Sequence, residues 1–105
     1  MSQFALYKNE DSASNTTHPY FVDVQNSLFA DLNSRLVIPL PPHSALGNTD
    51  VKRLCPVFYF DDGDFVLLTH QMTSAPKSII KTEVGSLAEF RYEILAAINM
   101  LISGI

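Results

Sequence analysis

The stretch from Leu87 to Ile105 constrains the fold most, because it reads as one amphipathic helix reaching the last residue of the sequence. Ser86 followed three residues later by Glu89 is a capping-box pattern, in which each side chain takes a backbone N–H that a first helical turn leaves unpaired. Gly85 closes whatever precedes it. Leu87, Phe90, Ile94, Ile98 and Leu101 recur at three- and four-residue intervals, so they share one stripe of a 3.6-residue helix and are expected to face a core. Tyr92, Ala96, Asn99 and Ser103 form a second, smaller and more polar stripe flanked by Leu95, Met100 and Ile102, a face that a partner can touch. Gly104 is expected to cap the helix in the left-handed conformation with Ile105 folded back, although an exposed contact tail has the same sequence appearance.

A chain of 105 residues fits one domain, residues 1–105, with a core that needs neither metal nor disulfide. Hydrophobic residues make up 47% and charged residues 17%, an apolar balance that points to surface covered by another subunit, most simply in a homodimer. A net charge of −4 with seven Lys plus Arg argues against a protein that holds nucleic acid through its phosphates. The start, Met1-Ser2-Gln3-Phe4, has no basic region followed by an apolar run, so neither export nor a membrane span is expected and a cytoplasmic location is.

Cys55 is the only cysteine and is read as a buried thiol beside Pro56. His18, His43 and His70 lie at no metal-binding spacing to one another or to Cys55, so no metal site is expected, nor any cofactor or catalytic set.

Before the helix the pattern is one of strands. Phe4 to Tyr7 suits a first strand and Tyr20 to Val24 a second, separated by a polar tract, Lys8 to Thr17, with nothing evident to bury. Leu28 and Phe29 stand side by side in the connection that follows, either exposed or tucked under a sheet. Arg35 to Leu40 is the clearest strand, and its Pro39 marks an edge, a bulge or the strand's end. Pro56–Phe60 and Phe65–Thr69 flank Asp61-Asp62-Gly63-Asp64, a hairpin signal in which the glycine is expected to supply positive φ. His70 to Pro76 reads as loop, Ser78 to Ile80 as a short strand, and Glu83 to Gly85 as the approach to the helix. Strands within residues 1–84 followed by a helix over about 87–102 predict an α+β domain, a small barrel of antiparallel strands closed by a C-terminal helix.

Phe21-Val22-Asp23-Val24-Gln25, Val37-Ile38-Pro39-Leu40, Pro56-Val57 and, above all, Ala97-Ile98-Asn99-Met100-Leu101 ending in Gly104-Ile105 resemble the CcdB family of gyrase-poisoning toxins. The matches run in order over nearly the whole length. The resemblance implies an SH3-like barrel of the CcdB and MazF type in a homodimer. It also implies a non-enzymatic toxin that binds the DNA gyrase A subunit and traps the cleavage complex until a cognate CcdA-like antitoxin neutralises it. Carried over by position, the gyrase-binding residues are Ser103, Gly104, Ile105 and Asn99 on the helix, Asn26, Leu28 and Phe29 in the loop after the second strand, and Arg91. Antitoxin contacts are expected, by analogy, around Asn9–Thr17 and His43–Thr49.

Two positions depart from the family pattern. Ser103 stands where the family has a tryptophan before the final Gly-Ile, which removes a stacking contact on a cation worth about 0.5–2 kcal/mol. Phe29 or Tyr92 could then serve as the anchor instead. Arg91 stands where an acid is expected, either to pair with a carboxylate or to cover the core with its stem. The alternatives are a MazF/Kid-like endoribonuclease, which the scarcity of basic residues disfavours, and a gyrase-inactive homologue that still binds antitoxin.

Overall fold

The computed structural model describes residues 2–29, 31–45 and 53–104. Among these residues seven strands precede one α-helix: β1 (Ala5–Lys8), β2 (Tyr20–Asp23), β3 (Ser34–Leu40), β4 (Val57–Phe60), β5 (Gly63–Val66), β6 (Thr73–Pro76), β7 (Glu83–Ser86) and α1 (Arg91–Ser103). Five of the strands form an antiparallel sheet in the order β6-β3-β2-β1-β7, and β4–β5 is a separate hairpin. The fold is α+β, an antiparallel sheet with a C-terminal helix, as the sequence predicts.

Both faces of the large sheet are covered, which explains why its central strands carry apolar residues at consecutive positions. On one face Leu6, Val22, Ile38 and Leu40 pack with Leu87, Ile94 and Ala97 from the helical end of the chain. On the other, Ala5, Tyr7, Val37, Ala75 and Ile80 form a second, smaller cluster. The hairpin joins the first cluster through aromatic rings. Phe58 stacks on Phe90 with centroids 4.4 Å apart, Phe60 stacks on Phe65 at the same separation, and Tyr20 meets both of the latter edge-on.

Pro39 lies inside β3, but beyond the part that pairs with β6, which ends at Val37. The polar groups of Pro39 and Pro41 point away from β2, and their carbonyls accept from the N–H groups of Leu68 (3.2 Å) and Val66 (2.9 Å). The missing proline donors therefore fall where the neighbouring segment supplies donors of its own.

Several local expectations are corrected. His70–Pro76 contains β6, whose Thr-Ser-Ala-Pro sequence carries little strand signal and is held by pairing with Ser34–Val37. Lys77–Ile79, which overlaps the short strand expected over Ser78–Ile80, is a 3-10 turn that delivers Ile80 to the second cluster. In the β4–β5 turn Asp61 (φ 50°) and Asp62 (φ 58°) take the left-handed positions and Gly63 begins the next strand, since aspartate tolerates this region better than most residues. Asn9, in the tract read as having nothing to bury, is buried, with its amide donating to Ser14 Oγ (2.9 Å) and the His18 carbonyl (2.8 Å).

Gly85 sits within β7 rather than ending it, and α1 begins at Arg91 after a 3-10 turn, Ala88–Phe90. Ser86 Oγ does accept the Ala88 N–H at 3.1 Å, while Glu89 makes no reciprocal bond among the described residues. Ala97 is fully buried, whereas Leu101, expected to face the core, is exposed.

A wholly buried ion pair crosses β2 and β3: Arg35 Nε donates to Asp23 Oδ2 at 2.7 Å, both side chains being shut off from solvent. Removing one member strands the other charge, so Arg35→Met is expected to cost about 3–5 kcal/mol in urea unfolding. Asp62→Gly is expected to gain about 1 kcal/mol by relieving left-handed strain, seen as a higher urea midpoint with unchanged slope.

Candidate functional site

The loop between β2 and β3 is built on that ion pair. Arg35 Nη2 donates to the Gln25 carbonyl (3.2 Å) and Nη1 to the Phe29 carbonyl (3.5 Å). The Gln25 side chain completes the brace, with Nε2 donating to the Phe29 carbonyl (3.0 Å) and Oε1 accepting the Leu36 N–H (3.0 Å). Asn26 Oδ1 accepts the Leu28 N–H (2.9 Å), an Asx turn that starts the 3-10 turn Ser27–Phe29. With its polar groups satisfied from beneath, the loop turns its apolar side chains outward: Leu28 is 84% exposed and Phe29 55%, with Leu32 beside them in sequence also exposed. Of the two readings of Leu28 and Phe29, the exposed one is correct.

The helix end is the second element. Gly104 adopts φ 77°, ψ 13° and its N–H donates to the Met100 carbonyl at 2.8 Å, the left-handed cap expected from the sequence. Ser103 Oγ donates to the Asn99 carbonyl (2.7 Å), with Asn99 Oδ1 3.4 Å away, so these two residues form one small polar tip. Ile105 lies outside the described residues, as do Leu46 to Thr49 of the expected antitoxin loop. The outward face of α1 carries Tyr92 (76% exposed), Leu95 and Ile102 (75% exposed). Arg91 is exposed, with its guanidinium 5.5 Å from the Tyr92 ring centre, so it sits over an aromatic surface rather than covering the core.

Asn26, Leu28 and Phe29 are thus one turn, and Asn99, Ser103 and Gly104 one helix end. Among the described residues no hydrogen bond, ion pair or ring contact links the two within a chain.

Other groups that sequence spacing does not connect come together elsewhere. Cys55 Sγ lies 3.5 Å from His70 Nδ1, fifteen positions apart, but burial pushes the Cys55 thiol up, so it stays protonated and is a poor nucleophile. No group of His, Cys, Asp and Glu that could hold a metal occurs among the described residues, and no described helix is long and apolar enough to cross a membrane.

A cleft of about 450 Å3 opens between β7, Tyr20 and the β4–β5 turn. Tyr20 OH donates to Asp61 Oδ2, and that bond, followed by burial, pushes the Tyr20 phenol up to about 12. A raised pKa means the folded chain holds this proton more tightly. The contribution to stability is therefore complete below pH about 10 and is lost as pH rises through about 12. Asp61→Asn is expected to move a late-titrating phenol to lower pH in a tyrosinate absorbance titration.

The model of the CcdB protein family matches residues 3–104, nearly the entire chain. The matched segment contains the β2–β3 turn, the helix and all of the strands on which both are mounted. The chain belongs to the CcdB family, the gyrase-targeting toxins of toxin–antitoxin systems.

Proposed function

We propose that this chain is the toxin of a toxin–antitoxin pair, acting as a homodimer that binds the DNA gyrase A subunit and traps its cleavage complex, with a CcdA-like antitoxin as its neutraliser. Membership of the family over residues 3–104 carries this reading. The exposure of Leu28 and Phe29 on a braced turn supports it, because a contact surface held in shape before binding loses little conformational entropy on docking.

The proposed gyrase-binding set is Asn26, Leu28 and Phe29 on the loop, with Asn99, Ser103, Gly104 and Ile105 at the helix end and Arg91 earlier on the helix. No bond chemistry is asked of these groups. Binding the opened form of gyrase more tightly than the closed one shifts the population toward the broken-DNA state by the difference in affinity. A two-fold toxin presents each contact twice, so the second engagement is effectively intramolecular.

Ser103 in place of the family's tryptophan gives the antitoxin-binding, gyrase-inactive reading its one specific support. Phe29 and the Arg91–Tyr92 pair offer aromatic surface that can replace the missing ring. A nuclease reading has less support, since the net charge is −4 and the chain has only seven Lys plus Arg.

In a gyrase cleavage assay the full chain is expected to accumulate broken DNA. A chain ending at Ser103 is expected to keep its fold and antitoxin binding and to lose that activity; undiminished trapping removes the helix end from the contact. Ser103→Trp is expected to tighten gyrase binding by about 2- to 30-fold through the added stacking. Phe29→Ala is expected to leave stability within about 0.5 kcal/mol, because the ring is exposed, while weakening gyrase binding.

A further inference from the structure

β7 is an edge of the five-stranded sheet, paired on one side only, and all four of its residues are exposed. It contains none of the lysines or prolines that commonly guard such edges. The 450 Å3 cleft lies against it, walled by Leu6, Tyr20 and Phe60, with Val84 half exposed at its margin. Asp61 and Glu89 also line the cleft, and neither carboxylate has a cationic partner among the described residues. Tyr20 and Val84 also line a second cleft of about 310 Å3, whose other walls are Lys8, Asn9, Asn15 and Pro19.

We propose that β7 and this cleft form a docking site for an extended peptide, which adds to the sheet edge as a strand and sets a Lys or Arg side chain against Asp61 and Glu89. Each requirement of strand addition is present: an unpaired edge supplies main-chain hydrogen bonds, and a cleft takes a side chain that points off the added strand. The charge of the cleft selects the occupant. A cationic side chain replaces its hydration with two carboxylates and an aromatic wall, whereas a nucleic-acid phosphate would meet those carboxylates as like charges. The site is separate from the helix tip and stands or falls independently of the gyrase contact.

The test is an amide NMR titration of the full-length protein with the N-acetylated, C-amidated pentapeptide Lys-Val-Thr-Val-Thr. Saturable shifts are expected at Glu83–Ser86 and at Asp61. Replacing the peptide's lysine by glutamate is expected to weaken binding about tenfold, and N-methylation of alternate peptide bonds to abolish it. Glu89→Gln, which leaves the Tyr20–Asp61 bond in place, is expected to weaken binding at least several-fold with the rest of the spectrum unchanged; Asp61→Asn with Glu89→Gln is expected to do more. The proposal fails if β7 does not respond, or if charge reversal in the peptide has no effect. It fails equally if N-acetyl-lysine amide alone or N-methylated peptide gives the same response, which indicates a simple cation pocket. Matching shifts with a short RNA oligonucleotide would also overturn it.

Discussion

Arg35 and Asp23 set the terms for the rest of this molecule. A fully buried guanidinium and carboxylate cost several kcal/mol each to remove from water, and they are tolerated when every donor finds an acceptor. Here the acceptors left over after the ion pair are the Gln25 and Phe29 carbonyls, so satisfying the arginine also fixes the loop. The core and the exposed turn are one arrangement at this point. Loosening the pair would release the turn that presents Leu28 and Phe29 to solvent.

Much of this was legible in the sequence. The strand-then-helix order, the glycine cap and the end-to-end family resemblance come from local signals of known physical origin. What escaped reading depends on partners distant in sequence. β6 is a strand because β3 offers it a ladder, and nothing in Thr-Ser-Ala-Pro states this. Asp23 and Arg35 are twelve positions apart, and a charged residue inside a strand pattern reads as solvent-facing until the sheet is known to be covered on both sides. Ala97 is buried and Leu101 exposed, a distinction that helical periodicity alone does not make.

The exposed turn was more legible than its support. The sequence marked Leu28 and Phe29 as a pair needing explanation, but the brace beneath them uses Gln25, an unremarkable residue at a strand's end. Arg91 shows the reverse: its position suggested a stem lying on the core, and an exposed tyrosine next to it provides a better surface.

Pro39 in β3 and Pro41 just after it have a consequence for the chain before it is fully folded. Pro39 and Pro41 offer carbonyls to the segment that later covers them and no N–H in return. A strand from another molecule approaching that side would find its own carbonyls without donors, so the stretch is a poor template for intermolecular sheet growth. The same residues that let the hairpin attach in one direction thereby make this apolar strand resistant to self-association during synthesis.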